Sequence, residues 1–304
     1  MNNFIDLIDH DSYTLNQLLN RAKNLKKARR DKRKLLKNLT GFSLAMIFEK
    51  PSTRTRISFE LAMKEMGGNV IVLDSENMQL GRGETISDTA RVLGRYCDVL
   101  MVRAISHNTL EEYVSFSGIP VINGLTDKSH PCQVMADIMT FEEFKGSIKD
   151  QVVTWVGDGN NVLNSWIHAA AKFNFKLNVS CPSSRTPKKE IIDKVNLNKK
   201  VVELIEDPVE AVVNSSCIVT DTWFSMGEKK INKPHEVFGK YQVNEELMSK
   251  AKEGAIFMHC LPANRGYEVT SSVIEGGSAV IWEEVENRLH IQKAILEWCI
   301  LENK

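Results

Sequence analysis

From Gly41 onward the chain alternates short apolar runs with longer stretches of helical periodicity, and this rhythm restricts its fold more than any other feature. Strands are expected at 42–48, 69–73, 98–102 and 119–122, with helices at 53–66, 86–96 and 109–116 between them. Apolar runs this short, separated by helices, belong to parallel strands covered on both faces. A helix over 131–145 leads away, and the rhythm restarts at Gln151. Strands then fit 152–156, 177–181, 201–205, 217–220, 255–258 and 279–282, helices fit 162–173 and 245–252, and a last helix fits about 284–301. The fold class is therefore α/β, with two similar domains, each a central parallel sheet flanked by helices. The domains are read as 1–145 and 146–283, with a C-terminal helix, about 284–304, packing back on the first. Ligands of open parallel sheets sit beyond the carboxyl ends of the strands, so the active site is expected in an interdomain cleft.

Composition removes several other classes of function. Lysine plus arginine and aspartate plus glutamate each number 39, so the formal net charge is zero. A general nucleic-acid binder would be basic, and no nucleic-acid partner is expected. The opening residues carry acids and no basic run before an apolar core, which fits neither a secretory signal nor a transit peptide. No apolar stretch approaches the ~18 residues of a membrane span. A cytoplasmic protein is the expectation. The six cysteines are widely spaced with no Cys-x-x-Cys pair, which reads as free thiols and no metal site. The basic segment from Arg21 to Lys37 would suit either a polyanion-binding helix or a solvated helix face, and the solvated face is favoured.

The segment richest in chemistry is Phe48-Glu-Lys-Pro-Ser-Thr-Arg-Thr-Arg-Ile-Ser-Phe-Glu60. It follows a strand and opens a helix. Ser52, Thr53 and Thr55 supply hydroxyls, Arg54 and Arg56 supply forked cations, and the helix start adds free N–H groups. The Walker pattern of glycines and lysine is absent. A plain capped helix with two surface arginines would use the same residues, and within an anion site one arginine of the pair could instead be structural, paired internally. Their density at one strand-to-helix junction favours an anion site.

Ser52-Thr53-Arg54-Thr55-Arg56 resembles the carbamoyl phosphate signature of the aspartate/ornithine carbamoyltransferase family. His130-Pro-Cys-Gln133 resembles that family's second motif for the same ligand, and Arg103 is similar to its third cationic ligand. The resemblance implies carbamoyl transfer from carbamoyl phosphate to an amine, without metal or cofactor. It implies that Thr55, Arg103 and His130 hold the carbonyl oxygen and Gln133 the carbamoyl nitrogen. Ser52, Thr53, Arg54 and Gln79 would bind phosphate, with Gln79 reaching a neighbouring subunit's site in a homotrimer. Cys132 is expected to pack locally.

The second half points to the acceptor. Asp221-Thr-Trp-Phe-Ser-Met-Gly227 and His259-Cys-Leu-Pro262 resemble the ornithine branch of the family. That implies L-ornithine held at its carboxylate by Asn161 and at its amino-acid end and charged α-amine by Asp221, Ser225 and Met226, with Cys260 and Leu261 beside the donor. Arg288, in Glu286-Asn-Arg288, resembles a family arginine near carbamoyl phosphate. Arg103, His130, Asp221 and Cys260 are the expected catalytic residues. Trp223 also suits an ordinary core position, and Cys260 an inert buried thiol. A dinucleotide-binding enzyme is the rival of another class. Gly157-Asp-Gly-Asn-Asn161 starts its glycine pattern, but Val162 stands where the third glycine belongs.

Overall fold

The computed structural model describes residues 1–31, 36–74, 78, 83–224 and 233–302. The chain divides into two compact units, one of Met1–Ala136 with Glu286–Lys304 and one of Asp137–Val285. Each holds a parallel sheet flanked by helices.

The first unit runs α1 (Ser12–Arg30), β1 (Ser43–Phe48), α2 (Thr53–Glu65), β2 (Asn69–Asp74), α3 (Ile86–Tyr96), β3 (Val99–Arg103), α4 (His107–Ser117) and β4 (Val121–Leu125). Its strands stand in the order β2-β1-β3-β4, all parallel. Strand β3 is buried at every position, as an apolar run in an inner strand requires. Ile47, Leu100, Val102, Leu110 and Tyr113 form part of one core cluster. Burying each such aliphatic side chain contributes about 1.5–3 kcal/mol. β2 lies at the sheet edge, where Ile71 remains 47% exposed. Gly118, in the left-handed region at φ 68°, ends α4 where a side chain would be strained.

The chain enters the second unit within α5 (Pro131–Lys145). There follow β5 (Val152–Val156), α6 (Asn161–Phe173), β6 (Lys176–Ser180), α7 (Lys189–Asn196), β7 (Val202–Leu204), α8 (Pro208–Ala211) and β8 (Cys217–Thr220). The unit continues with α9 (Pro234–Phe238), α10 (Glu245–Lys250), β9 (Ile256–His259) and α11 (Ser271–Ile274). Helix α12 (Ile281–Leu301) carries the chain back into the first unit. The second sheet is parallel in the order β7-β6-β5-β8-β9.

Two expectations change. The apolar run at 279–282 is not a strand. Ala279 makes a single bridge to Phe257, and α12 begins at Ile281. A run of four apolar residues suits a bridge followed by a buried helix start as well as it suits a strand. The basic residues of α1 are also not simply solvated. Lys26 is buried and donates to Asn287 Oδ1 at 2.7 Å, with Glu286 at 3.5 Å. Arg21 pairs with Glu297, and Arg29 with Glu65 at 3.0 Å. Leucines 15, 18, 19 and 25 bury one side of α1 and bring these cations along with it.

All six cysteines are unpaired thiols, and no helix among the described residues is long and apolar enough to cross a membrane.

Candidate active site

In both sheets strand order reverses at one point, and sequence-selected residues among those described lie at the strand ends there. In the first sheet the reversal lies between β1 and β3, so crossovers leave on opposite faces and open a crevice at the strand ends. The β1 end leads into α2, and β3 ends on Arg103. Ser52 caps α2 with extended backbone, but its hydroxyl makes no capping hydrogen bond. The first-turn N–H groups therefore keep the exposed positive end that favours an anion.

Thr55, in that first turn, is buried. Its hydroxyl oxygen accepts from Arg103 at 3.3 Å and from Arg288, on α12, at 3.0 Å. Arg288 also donates to Gln133 Oε1 at 2.7 Å. His130 lies in the same cluster. Burial first, then Arg288, Arg103 and Arg54, hold its pKa well below the usual histidine value. The imidazole is therefore neutral at physiological pH, and a neutral ring can donate one hydrogen bond. Arg54 is half-buried, whereas Arg56 is exposed. Of the paired arginines, Arg54 is the one whose charge reaches His130.

The loops carrying these groups are braced. Glu49 donates its N–H to Arg103 O at 3.0 Å and accepts from Ile105 N–H at 2.6 Å. His107 Nδ1 and Thr126 Oγ1 are 2.9 Å apart, and Asn123 donates to Ser129 Oγ at 3.0 Å. Cys132 is buried with its thiol donating to Asn123 O, and burial pushes its pKa up to about 12. It packs as an inert group beside the site. Neither Glu49 nor His107 is conspicuous in sequence, because their partners lie 56 and 19 residues away.

In the second sheet the reversal lies between β5 and β8. Asp221 follows β8, Asn160 and Asn161 follow β5, and Cys260 follows β9. Asp221 is buried; one oxygen accepts from Asn160 Nδ2 at 2.8 Å and the other from the Cys260 thiol at 3.3 Å. Burial, and next the Asp221 carboxylate, push the Cys260 thiol well above its ordinary pKa. It stays protonated and donates. Leu261 takes the left-handed region at φ 56°, a strained conformation for its side chain. Its N–H donates to His259 Nδ1 at 2.9 Å, and His259 N–H donates to the buried Glu284 at 3.1 Å. The other His259 nitrogen lies 3.4 Å from Glu268, which is fully buried.

The loop after β5 is held as tightly. Gly157 takes φ 128°, which favours glycine. Asp158 pairs with Arg185 at 3.1 Å, and its carbonyl accepts from Trp155 Nε1 at 2.9 Å. Trp223 is a core residue, stacked on Phe238 at 5.2 Å between ring centres. Asp221, His259 and Cys260 each place a possible metal-ligand atom within 4.8 Å of the others. His259 Nδ1 is already occupied by the Leu261 N–H, which leaves this trio poorly suited to a cation.

Among the sequence-selected residues, the first unit brings together Thr55, Arg54, Arg103, His130, Gln133 and Arg288, with Ser52 and Thr53 at the helix start. The second brings together Asp221 and Cys260, with Asn161 opening α6 and Leu261 in the Cys260 turn. Gln79, Ser225 and Met226 lie outside the described residues. Asn160 was not singled out by sequence. The available signal was an asparagine immediately before a helix, which marks a cap.

Comparison with known proteins matches two family descriptions. Residues 2–143 match "Aspartate/ornithine carbamoyltransferase, carbamoyl-P binding domain", and residues 149–299 match its "Asp/Orn binding domain". The chain is 52% identical to an ornithine carbamoyltransferase of Nitrobacter winogradskyi over 98% of this chain and 96% of that one. It is 51% identical to one of Rhodopseudomonas palustris, with the same coverage. Among solved structures, ornithine carbamoyltransferase from Pyrococcus furiosus superposes with a TM-score of 0.94 at 44% identity, covering 98% of this chain and 96% of that one. The Burkholderia thailandensis enzyme of the same name gives 0.91 at 39% identity, covering 99% of each.

Proposed function

The chain belongs to the aspartate/ornithine carbamoyltransferase family, and we propose that it transfers the carbamoyl group of carbamoyl phosphate to L-ornithine, giving L-citrulline and phosphate. The observation that carries the acceptor is Asp221, a buried carboxylate at the β5/β8 reversal, gripped by Asn160 and Cys260. A buried carboxylate attracts a cationic amine, whereas the side chain of aspartate would bring a second negative charge against it. Putrescine would leave the expected carboxylate contact at Asn161 unused. The close relatives named as ornithine carbamoyltransferases support the same acceptor.

In the first unit the α2 start, with Ser52, Thr53 and Arg54, receives phosphate, joined by Gln79 of a neighbouring copy. Thr55, Arg103 and neutral His130 stabilise the charge that grows on the carbonyl oxygen, and Gln133 holds the carbamoyl nitrogen. Three arginines favour the departing phosphate dianion. The attacking amine must be neutral. A lysine-like amine with pKa ~10.4 is neutral in roughly one molecule in 10³ at about pH 7.4, equivalent to about 4 kcal/mol. Asp221 and Cys260 position that amine, and the carboxylate is the group suited to draw its proton, because the thiol keeps its own. Turnover limited by this step climbs with pH between about 6 and 8.

The biological setting we infer is arginine biosynthesis in the cytoplasm, by a homotrimer.

The test supplies carbamoyl phosphate with ornithine, aspartate, putrescine or N-acetylornithine and measures carbamoylated product. Citrulline from ornithine, and little product from the others, is expected. Product with another amine and none with ornithine would overturn the acceptor. An Arg54→Ala variant that keeps full affinity for carbamoyl phosphate would overturn the phosphate site.

A further inference from the structure

Asn160 sits between two parts of the acceptor half-site, and its amide faces them with opposite ends. Its Oδ1 accepts from Val162 N–H at 3.0 Å and from Leu163 N–H at 3.2 Å, capping α6. That engagement fixes which way the amide points, since only the oxygen can accept. The Nδ2 must then face the other way, where it donates to Asp221 Oδ2 at 2.8 Å. Both residues are buried, at 7% and 8% exposure. Water therefore competes poorly for this hydrogen bond.

We propose that Asn160 is a positioning residue for carbamoyl transfer, whose amide locks the Asp221 carboxylate to the first turn of α6. The proposal rests on the reading of Asp221 as the group that receives the amine. Asn161, expected to hold the carboxylate of the amino acid, is the first residue of the same helix. One amide thus sets the distance between the carboxylate that receives an amine of the substrate and the residue expected to hold the substrate's own carboxylate.

Asn160 itself is well anchored. Its N–H donates to Asp158 O at 3.0 Å, Gly159 N–H donates to Arg185 O at 2.9 Å, and Asp158 pairs with Arg185. The remaining Asp221 oxygen takes the Cys260 thiol. The carboxylate is therefore held on two sides, and Asn160 supplies the stronger of the two donors. Nitrogen donates better than sulfur, and a hydrogen bond to a charged group contributes more than a neutral one.

Two variants separate positioning from folding. Serine and aspartate cap helices about as well as asparagine, so both keep α6 capped. Asn160→Ser is too short to reach Asp221 while capping. Asn160→Asp reaches it but opposes one carboxylate with another. For Asn160→Ser the ornithine KM is expected to rise roughly tenfold to hundredfold, with carbamoyl phosphate affinity unchanged. For Asn160→Asp the two carboxylates retain a proton to higher pH, so the rise of kcat/KM for ornithine moves upward in pH. The serine variant leaves that pH profile in place.

Wild-type values of ornithine KM and an unmoved pH profile in both variants would overturn the proposal. Equal loss of affinity for both substrates together with a fall in melting temperature would also overturn it, by showing a structural role alone. Wild-type enzyme that forms no citrulline would overturn the functional reading first, and the proposal with it.

Discussion

The guanidinium of Arg288 donates to the hydroxyl of Thr55 at 3.0 Å, across 233 positions of sequence. Arg103 donates to the same oxygen at 3.3 Å. A threonine in the first turn of a helix thus becomes a shared acceptor for two buried cations, and its orientation is set by both.

Thr55→Val keeps the branched shape and removes that acceptor. Two buried guanidinium groups lose this partner, which costs about 1–3 kcal/mol of stability. If Thr55 holds the carbonyl oxygen, kcat also falls ~10²–10³-fold. Citrulline formation and thermal melting measure the two effects separately. Unchanged kcat in a folded variant would remove Thr55 from the chemistry.

His290 is fully buried on α12, with Glu286 at 3.7 Å. Burial first, then Lys293, Lys26, Arg29 and Arg30, push its pKa down to about 3. The unfolded chain takes up this proton near pH ~6.5, whereas the folded protein does not until about pH 3. Stability is therefore complete above pH ~6.5 and falls on acidification, by up to about 1.4 kcal/mol per pH unit for one proton. His290→Gln should flatten this slope between about pH 6 and 4 in urea titrations. Parallel curves for variant and wild type would contradict it.

Cys260→Ala removes the thiol donor from Asp221. Ornithine KM is expected to rise about tenfold, near 1.4 kcal/mol, while the KM for carbamoyl phosphate stays within about twofold. Cys260→Ser keeps a donor and should recover part of the loss. Initial-rate kinetics with each substrate varied will decide, and an alanine variant with wild-type ornithine KM would rule out this contact as a contributor.

Gly159 approaches other backbone too closely for any side chain. A Cβ there would lie 2.2 Å from Arg185 O and 2.7 Å from Pro187 N. Backbone cannot swing aside as a side chain can, so Gly159→Ala costs about 1–3 kcal/mol and displaces the loop carrying Asn160. Lower melting temperature together with a raised ornithine KM is expected. A variant as stable as wild type would show that the Arg185 loop yields freely.

The sheets were legible because their inner strands are buried on both faces, which leaves largely apolar runs such as 99–102 and Val152–Val156, the latter interrupted only by Thr154. The run at 279–282 misled for the same reason, since burial alone does not separate a strand from a helix start. The grouping around the α2 start was legible because hydroxyls and arginines crowd that one strand-to-helix junction. Lys26 was not, because its partner Asn287 lies 261 residues away and a sequence window sees only the neighbouring charges. Glu268 and Glu284 were not legible either. Nothing local distinguishes a fully buried carboxylate that braces a turn from one facing solvent.

The first unit is assembled from two distant stretches of chain, which has a consequence for its birth on the ribosome. Lys26, Arg21 and Thr55 emerge early, but Asn287, Glu297 and Arg288 are made only near the end. At about 5–20 residues per second, the intervening unit, Asp137–Val285, takes roughly 7–30 seconds to translate. Until then α1 carries an ammonium whose burial has no compensating oxygen from Asn287. A nascent chain lacking α12 therefore lacks these side-chain contacts of the first unit. The contacts of Lys26, Arg21 and Thr55 with α12 thus become available only with the last few dozen residues.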